Sequence, residues 1–532
     1  MNKTIALKDG LIINGTGSPG FYGSVLIKDN KISVIRQSSD SIQADVEIDC
    51  TGKVISPGFI DLHSHTGLTI FGEPKHEPKV FQGVTTELIG IDGISPVPFK
   101  NKSELERYIW LDSGLNDYPP ESPDWLKTIE YLNKVDNKVA VNIACIIGNS
   151  PLRIWGVGWN DKPADKKQIE NMKSVLRECM EEGAWGLSTG LDYPPGAYAS
   201  TEELIELCKE AAKLGGFYHT HTRGLLAKPE NILAPYDEAV EIAKIANLPL
   251  HLTHYYQKMM YVHSKNIVNG KYTDYLGLVE NAIENGMDVT FDCYTYPYSG
   301  TTLTIILPNW SKDGGPEALI KNLSSKDTRD RMAKEMNPSG YPTHWLTNFK
   351  KPHNKKYEGL SVNEIAAINN QEPSDTIFDL LLDENLGISH VGFGTNPHTL
   401  PEFVKHPAGM IASDSILFGD FPSPRTYGNF TKVISEFSRD DKFLTLPDAI
   451  RKMSSFPAQR LGLHSKGSLI DGYDADVIVF DLPKVHAPAT KANPRQLAEG
   501  IEHVIVNGQF VIKDSEHTGN LPGKAIRRGR DS

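Results

Sequence analysis

Cysteine is scarce in this sequence, which has five in 532 residues. The five stand far apart, at Cys50, Cys145, Cys179, Cys208 and Cys293, and none of them has a partner at CxxC spacing. An odd and scattered set indicates neither a disulfide framework nor a zinc site built from thiolates. We therefore expect a reducing compartment, and we predict a cytoplasmic protein.

Positive charge is also in short supply. The chain has 55 Lys and Arg residues against 67 Asp and Glu, a net charge of −12 at pH 7. This balance creates no broad positive field, so we expect neither a nucleic-acid nor a membrane partner. No apolar run approaches the ~18 residues of a spanning helix, and Lys8 and Asp9 interrupt the amino terminus before an apolar signal segment can form.

Both ends of the chain have the pattern of short β-strands. Residues 1–56 alternate apolar and polar positions with Gly and Asp turns, and GSLIDGYDADVIVFDL and IEHVIVNGQFVIKD repeat that pattern late in the chain. We interpret residues 1–56 and 465–532 as one small β-sandwich domain built from two segments. Two unrelated β appendages are the alternative.

Between these ends, short β-rich apolar runs alternate with helical stretches, which is typical of parallel βα units. Eight runs are present, at residues 54–63, 84–92, 139–148, 183–191, 216–222, 248–254, 287–294 and 409–414. Eight such units predict the α/β class and a (β/α)₈ TIM-like barrel over residues 57–464. The segment of about 300–400 is too long for one connection, so we predict an insertion over the barrel mouth.

The first run, GFIDLHSHT, ends in two histidines, His63 and His65. Alternate residues of a strand point to the same side, so the two imidazoles can share one ion. Paired histidines also occur by chance. At the carboxyl end of a first barrel strand, however, the HxH pair predicts a metal site.

Three later runs close in residues of the same kind, His221, His254 and Asp414. The carboxyl ends of barrel strands converge on the catalytic face, so we expect these side chains to join the HxH pair. A histidine packed in the core would explain one of them but hardly all. Within two of the runs, His219 and His251 are competing ligands.

Asp92 is a sixth candidate ligand, since it ends the run VTTELIGID. It stands directly before Gly93, and aspartate before glycine is a common turn residue. On its own, this position favours the turn.

Stretches spread nearly end to end resemble one enzyme family. They include GFIDLHSHT, QGVTTELIGIDGIS, GLSTGLDYPPGAYAST, YHTHTRG, LHLTHYY, YPY, HPAGMIASDS, PSPRTYGNF and GSLIDGYDADVIVFD. The HxH is shared by the metal-dependent amidohydrolase superfamily, whereas GLSTGLDYPPG and PRTYG are specific to the N-acyl-D-amino-acid deacylases (D-aminoacylases), which the chain closely resembles. The resemblance implies a hydrolase that cleaves the amide bond of a small N-acyl-D-amino acid into a carboxylate and a free D-amino acid.

The resemblance also implies the metal and the roles of individual residues. It implies one or two divalent ions, with zinc favoured, and a catalytic aspartate that takes a proton from water and delivers it to the departing nitrogen. The implied ligands are His63, His65, His221 and His254. The implied catalytic aspartate is Asp414, which we also predict as a metal ligand.

The chain departs from the family pattern at three positions. Asp92 stands where D-aminoacylases usually carry cysteine, in a stretch like GNCGIS. A carboxylate is harder than a thiolate and can bridge two ions, so we add Asp92 to the predicted ligands and expect weaker zinc binding. Asn149 stands where the family commonly has histidine, and Tyr256 falls near the place of a lysine for which Lys258 could substitute.

A free amino acid product implies a cation for the α-carboxylate of the substrate. Arg425 in PSPRTYG is our candidate, because a guanidinium can bind carboxylate through two parallel hydrogen bonds. A loop-stapling salt bridge is the alternative. Tyr193 and Tyr296, or Tyr298 in place of the latter, could supply hydroxyls to the substrate, although tyrosine more often packs in a core.

Two other functions compete with the deacylase. A hydantoinase-like or isoaspartyl-dipeptidase-like amidase commonly bridges its metals through a carboxylated lysine on a middle strand, and the run GAWGLSTGL has none. A non-catalytic barrel scaffold would lack the HxH pair or the final aspartate, and both are present. A homo-oligomer is compatible with the sequence.

Overall fold

The computed structural model describes residues 4–35, 42–224, 231–262, 265–268, 270–336 and 344–530. Parts of the predicted end segments and of the insertion, residues 1–3, 36–41, 337–343 and 531–532, lie outside the described residues. The strands are β1 Thr4–Ile12, β2 Phe21–Lys28, β3 Lys31–Ile35, β4 Val46–Asp49, β5 Val54–Pro57, β6 Phe59–Asp61, β7 Val84–Ile89, β8 Asn142–Cys145, β9 Ile147–Gly148, β10 Gly186–Gly190, β11 Phe217–His221, β12 Leu250–Leu252, β13 Met259–Val262, β14 Lys265–Val268, β15 Val289–Cys293, β16 Tyr298–Thr302, β17 Trp345–Thr347, β18 Ser389–Phe393, β19 Gly409–Ile411, β20 Val477–Phe480, β21 Ile501–Val506, β22 Gln509–Lys513 and β23 Glu516–His517.

The α-helices are α1 Glu77–Val80, α2 Lys102–Leu111, α3 Ser113–Asn116, α4 Thr128–Val135, α5 Asn149–Gly156, α6 Lys166–Glu181, α7 Thr201–Lys213, α8 Ala234–Ala246, α9 Tyr272–Glu284, α10 Pro316–Ser324, α11 Lys326–Glu335, α12 Val362–Asn369, α13 Pro373–Asp383, α14 Leu400–Lys405, α15 Arg425–Lys432, α16 Leu446–Met453 and α17 Ser455–Leu461. Short 3₁₀ helices span Thr69–Phe71, Gly196–Tyr198, Leu303–Ile306, Asn309–Lys312, Pro352–Tyr357 and Leu482–Lys484, and a π-helix spans Val433–Asp440.

Strands from both ends of the chain form one nine-stranded sheet. Its order is β23-β22-β21-β20-β5-β1-β2-β3, with β4 beside β1. The two segments join where β20 runs antiparallel to β5, with Val477 opposite Pro57 and Phe480 opposite Val54. The β-sandwich and its boundaries stay predictions, but the two segments do share a sheet.

Each of the eight predicted runs contains a parallel strand. Strands β6, β7 and β8 pair in one sheet, and β9, β10, β11, β12, β15 and β19 pair in another, with β8 and β9 in the same run. The residues of β7 and β8 are buried throughout, as expected where helices cover both faces of a parallel sheet. The predicted α/β class is confirmed.

Helix α6 shows how the connecting helices form. Asp165 caps its amino terminus by accepting a hydrogen bond from the Gln168 N–H at 2.8 Å, and the Gln168 side chain returns the contact. Met172 and Leu176, four residues apart on one face, are fully buried. In the described ranges, no helix combines the length and apolarity needed to cross a bilayer.

The chain between β15 and β19 builds a separate substructure. Strands β16, β18 and β17 pair there as an antiparallel sheet, accompanied by helices α10 to α14. In this sheet Tyr298 lies opposite Phe393, and Thr302 lies opposite Ser389. The Tyr298 end of β16 lies near the carboxyl ends of the parallel strands. There, the Tyr298 carbonyl oxygen accepts a hydrogen bond from Arg425.

Candidate metal centre

The carboxyl ends of the parallel strands bring the six predicted ligands together. Their side chains follow or end strands β6, β7, β11, β12 and β19. The ligand atoms form two groups, each within 4.8 Å, namely His63, His65, Asp92 and Asp414, and Asp92, His221 and His254. Asp92 belongs to both groups.

One oxygen of Asp92 is the centre of this cluster. Asp92 Oδ2 lies 3.2 Å from His63 Nε2 and 3.5 Å from His221 Nδ1. The Nε2 atoms of His65 and His254 each lie 3.7 Å from the same oxygen. The four surrounding imidazoles favour a metal-binding role for Asp92 over a role in the turn alone.

Three residues of the cluster hold a backbone conformation that residues other than glycine rarely adopt. The φ angle is 51° at Asp92, 36° at His254 and 47° at Asp414. Such conformations cost on the order of 1–3 kcal/mol and concentrate at functional sites. At one of them, the Asp414 N–H donates to the His63 carbonyl oxygen at 2.8 Å, which ties the segment after β19 to the segment after β6.

The buried carboxylates and imidazoles shift one another's pKa values. Burial alone would raise the pKa of Asp92, but His63, His221 and His254 outweigh burial and hold that pKa well below its usual range. Burial lowers the pKa of His221, yet Asp192 and Asp92 outweigh it and raise that pKa to about 9. The cluster therefore favours the ionised form of Asp92 with positive charge beside it. A divalent cation would supply that charge in place of protons on the histidines.

The donor set fits a divalent cation. Asp92 Oδ1 and His254 Nδ1 are buried without a hydrogen-bond partner among the described residues. Imidazole nitrogens and carboxylate oxygens bind zinc and other divalent transition metals. Such a set accepts several divalent ions, so it does not select zinc alone.

Two carboxylates that sequence reasoning missed lie behind the histidines. Asp192 Oδ2 is 3.0 Å from His221 Nε2, and Asp292 Oδ2 is 3.3 Å from His63 Nδ1. Each contact leaves the other ring nitrogen of its histidine for the cluster. Asp292 Oδ1 also accepts a hydrogen bond from the His254 N–H at 2.7 Å. The sequence prediction looked for ligands at the ends of the β-rich runs, and neither aspartate ends a run.

The competing histidines have partners of their own. His219 Nε2 lies 3.2 Å from the Leu62 carbonyl oxygen, and His251 Nε2 lies 3.0 Å from Asp292 Oδ2. Their rings stack with centroids 5.1 Å apart. A third group of ligand atoms within 4.8 Å, His63, His219 and Asp292, places His219 at the edge of the centre rather than in the cluster around Asp92.

Arg425 reaches the cluster, but its first contact is with Asp414. The guanidinium is fully buried, with Nη2 2.8 Å from Asp414 Oδ2 and Nε donating to the Asp414 carbonyl oxygen at 2.8 Å. Nη1 donates to the Tyr298 carbonyl oxygen at 3.2 Å, and Nη2 lies 3.5 Å from that of Gly300. Three of its five N–H groups thus donate to backbone carbonyl oxygens, and the guanidinium forms an ion pair with Asp414. Its contact with a substrate carboxylate stays a prediction.

The structure brings one of the two predicted tyrosines to the cluster. The Tyr193 ring packs on His221 with centroids 5.1 Å apart, and its hydroxyl lies 2.8 Å from Thr301 Oγ1. Tyr296 lies elsewhere, since its hydroxyl donates to the Ala489 carbonyl oxygen at 3.4 Å. The contact of Tyr296 with a substrate stays a prediction, which this hydrogen bond does not support.

A family model described as "Amidohydrolase family" matches residues 46–296 and 358–512, which is most of the chain. The chain belongs to the amidohydrolase family.

Relatives of this amidohydrolase match over nearly its whole length. The D-aminoacylase of Alcaligenes xylosoxydans xylosoxydans is 30% identical, covering 98% of this chain and 97% of the relative. A solved N-acyl-D-glutamate deacylase from Bordetella bronchiseptica, complexed with zinc and a phosphonate mimic of the tetrahedral intermediate, is 26% identical with a TM-score of 0.81, covering 99% and 100% of the two chains. A solved D-aminoacylase described as having a binuclear metal centre is 29% identical with a TM-score of 0.81, covering 98% and 99%.

The departures from the family pattern have structural explanations. Asn149 Oδ1 accepts a hydrogen bond from the Gly190 N–H at 3.2 Å, and its Nδ2 donates to the Gly196 carbonyl oxygen at 3.1 Å. In this amidohydrolase, Asn149 thus braces both ends of the loop that carries Asp192.

The other departure concerns the position of the family's lysine. The hydroxyl of the buried Tyr256 lies 2.6 Å from that of Tyr294. Lys258 extends towards Gly224. A Cβ atom placed on Gly224 would lie 2.6 Å from Lys258 Nζ and 3.5 Å from Asp192 Oδ2, so both side chains lie next to this glycine. Lys258 therefore lies on the Asp192 side of this amidohydrolase's centre.

Proposed function

We propose that this amidohydrolase cleaves the amide bond of N-acyl-D-amino acids, releasing a carboxylate and a free D-amino acid. The observation that carries the proposal is the convergence of histidines and aspartates around Asp92 Oδ2, with Asp414 held beside them by Arg425. The full-length likeness to a D-aminoacylase and an N-acyl-D-glutamate deacylase supports this reaction class and the D configuration.

The metal of the proposed enzyme is a divalent ion, with zinc favoured and one or two ions per chain. When bound, such an ion polarises the acyl carbonyl and makes water a better nucleophile. The residues that would hold it are His63, His65, Asp92, His221, His254 and Asp414.

Asp414 is the residue that moves protons in this proposal. Its Oδ1 lies 3.4 Å from His65 Nε2 and its Oδ2 lies 2.8 Å from Arg425 Nη2. Burial would raise the pKa of Asp414, but Arg425 and His63 outweigh burial and lower it. An ionised Asp414 can take a proton from the attacking water and deliver it to the nitrogen of the leaving amine.

The substrate's α-carboxylate is assigned to the Arg425 side of the centre. The guanidinium provides positive charge there, which a substrate carboxylate would share with Asp414. The Tyr193 hydroxyl, next to Thr301, would contact the substrate from the His221 side.

We also infer a closed (β/α)₈ barrel over residues 57–464, with a small β-sandwich built from residues 1–56 and 465–532. A parallel bridge between Ser64 and Ser415 connects the segments after β6 and β19. Only Ile146 separates β8 from β9, which belong to the two parallel sheets. Together these contacts support a closed circuit of eight parallel strands. The cytoplasmic location and a homo-oligomer stay predictions.

The test is an assay of amine release by the metal-loaded protein from N-acetyl-D- and N-acetyl-L-amino acids over a panel of side chains. We expect turnover of D substrates that a chelator abolishes and added divalent metal restores. Turnover of cyclic amides alone would favour the hydantoinase-like alternative. Metal binding without turnover of any amide would favour the non-catalytic scaffold.

A further inference from the structure

A group of three charged side chains is buried beside the metal centre. Lys79 on helix α1 is fully buried, as are Asp61 at the end of β6 and Glu87 within β7. Asp61 and Glu87 lie opposite each other where β6 and β7 pair, and the Lys79 ammonium contacts both carboxylates. The proposed reaction uses none of these three residues.

Lys79 and Asp61 connect the segment of His63 to that of Asp414. Lys79 Nζ donates to Ser413 Oγ at 2.6 Å and also to Asp61 Oδ2. Asp61 Oδ1 accepts hydrogen bonds from the His63 N–H at 3.2 Å and from the Ser413 N–H at 3.0 Å. Asp61 Oδ2 accepts another from Ser413 Oγ. Because Ser413 directly precedes Asp414, these contacts hold the backbone that leads into Asp414.

Glu87 extends the same group to the far side of the HxH pair. Glu87 Oε1 lies 3.1 Å from Lys79 Nζ. Glu87 Oε2 accepts a hydrogen bond from Thr66 Oγ1 at 2.7 Å, and Thr66 directly follows His65. The group around Lys79 therefore contacts the chain both before and after the two histidines.

The charges of this group hold one another in their ionised forms. Burial would lower the pKa of Lys79, but Asp61 and Glu87 outweigh burial and raise it. Burial would raise the pKa of Glu87, but Lys79 and His76, whose Nε2 lies 3.0 Å from Glu87 Oε2, outweigh burial and lower it. Desolvation offsets much of the attraction within buried ion pairs, so such a group adds little net stability. A need for fixed geometry accounts for it better.

Fixed geometry is needed at the backbone of Asp414. The φ angle there is 47°, and such a conformation persists only where the surrounding structure enforces it. The Asp414 N–H donates to the His63 carbonyl oxygen at 2.8 Å, and Arg425 holds the side chain. The contacts of Lys79 with Ser413 enforce the backbone immediately before it.

We propose that Lys79 is a positioning residue of the proposed reaction. Through Asp61 and Ser413 it sets where the Asp414 carboxylate lies, and thereby the rate at which that carboxylate transfers a proton to the leaving amine. The alternative is a buried ion pair that only stabilises the fold. This inference rests on the proposed function, since it requires Asp414 to move the proton.

The test is Lys79→Met in the metal-loaded full chain, assayed with N-acetyl-D-amino acids. Methionine keeps much of the length of the lysine side chain and removes the ammonium. We expect kcat to fall by about 10- to 100-fold, the scale for misplacing a reacting group by about 1 Å, with KM within about threefold of the parent value. The absorption spectrum of the Co²⁺-loaded protein should also change, because Asp414 is one of the predicted ligands.

Lys466→Met is the matched control. Lys466 is another buried lysine between two carboxylates, with Nζ 2.7 Å from Asp476 Oδ2 and 3.4 Å from Asp474 Oδ2. It belongs to the late segment that leads into β20, rather than to the segments that carry the predicted ligands. This variant should lower the melting temperature, as Lys79→Met does, but it should leave kcat and the Co²⁺ spectrum at the parent values.

Ser413→Ala tests the same connection without removing a charge. It deletes the hydroxyl that lies between Lys79 and Asp61. We expect kcat to fall by about 2- to 10-fold, the range for one hydrogen bond, with little change in KM. If Lys79→Met fails to fold, as circular dichroism would reveal, Ser413→Ala decides.

The outcomes distinguish this inference from the proposed function. Parent-like kcat in a folded, metal-loaded Lys79→Met, or a loss no larger than in Lys466→Met, would overturn the positioning role and keep the deacylase. Unchanged kcat in Ser413→Ala would do the same if Lys79→Met does not fold. If the parent hydrolyses no N-acyl-D-amino acid, the proposed function fails and the Co²⁺ spectrum decides. A spectral change in Lys79→Met or Ser413→Ala that Lys466→Met lacks supports the placement of Asp414 by Lys79, and unchanged spectra reject it.

Discussion

Asp192 Oδ2 lies 3.0 Å from one ring nitrogen of His221, Nε2, while the other, Nδ1, lies 3.5 Å from Asp92 Oδ2. The imidazole is thus held between a carboxylate behind it and the cluster in front. A proton on Nε2 that is donated to Asp192 leaves Nδ1 free as a ligand. Since Asn149 braces the loop around Asp192, the family stretch GLSTGLDYPPG acquires a role in orienting His221.

We therefore predict that Asp192→Asn weakens metal binding at the Asp92, His221 and His254 group. Losing a carboxylate that orients a ligand histidine typically costs about 10- to 100-fold in metal affinity. Titration of the apo variant with Zn²⁺ or Co²⁺ measures the loss. Unchanged affinity would show that the contact with His221 is incidental.

Asp292→Asn is the matched variant for the other group. Asp292 contacts His63 Nδ1 at 3.3 Å and His251 Nε2 at 3.0 Å. We expect its loss to weaken chiefly the ion held by His63, His65 and Asp414, again by about 10- to 100-fold. The Co²⁺ absorption spectrum distinguishes the two groups. Identical spectral and stoichiometric effects of both variants would contradict two separate orienting contacts.

Asp414→Asn should leave folding and most of the metal content intact but lower kcat, because the amide oxygen can still act as a ligand beside His63, His65 and Asp92. The amide keeps the shape of the side chain and loses the ability to take a proton from water, which is worth on the order of 10²- to 10⁴-fold. Steady-state kinetics with N-acetyl-D-amino acids check the loss, and metal analysis is the control. Activity within about threefold of the parent would remove Asp414 from the proton-transfer role.

Arg425→Met should have two effects that can be separated. It removes the contact with Asp414 Oδ2 at 2.8 Å, which lowers kcat/KM for every amide, and it removes the charge facing the α-carboxylate. For carboxylate-bearing substrates we expect a further loss of about 1.5–3 kcal/mol. An amide that lacks the α-carboxylate provides the comparison. Equal losses on both substrates would leave Arg425 with only its role at Asp414.

The sequence was sufficient to predict which side chains at the ends of strands meet in the cluster. His63, His65, His221, His254 and Asp414 all follow β-rich runs, and parallel strands present such residues at one edge of a sheet. The α/β class follows from the same alternation. This reasoning depends only on local pattern and on the geometry of parallel strands, which is why the structure brings those side chains together.

Residues that act from behind or from a distant segment were not predictable in this way. Asp292 lies within β15 rather than at its end, and Asp192 lies two residues beyond the end of β10. Tyr296 follows β15, as a predicted site residue does, but its hydroxyl donates to the Ala489 carbonyl oxygen, far along the chain. Such contacts are set by tertiary packing, which sequence spacing does not encode.

The role of Asp92 yields the last prediction, because sequence reasoning left it between a ligand and a turn residue. Asn retains the ability to form a turn before Gly93, but it loses the charge that faces His63, His65, His221 and His254. If Asp92 is a ligand, Asp92→Asn should clearly lower metal stoichiometry or affinity, whereas the turn hypothesis predicts near-normal binding. Titration of the apo protein measures the difference.

Asp92→Cys extends the same test to metal preference. A thiolate at this position would restore the cysteine that D-aminoacylases usually carry, and the softer donor should shift preference towards Zn²⁺ over harder divalent ions. Asp92→Ala, which supplies neither charge nor donor, should lose the most metal and activity. Because Asp92 Oδ2 lies within 3.7 Å of a nitrogen on each of four imidazoles, loss of this oxygen should affect both ligand groups together. An Asn variant that binds as many ions as tightly as the parent would therefore exclude Asp92 from metal binding altogether.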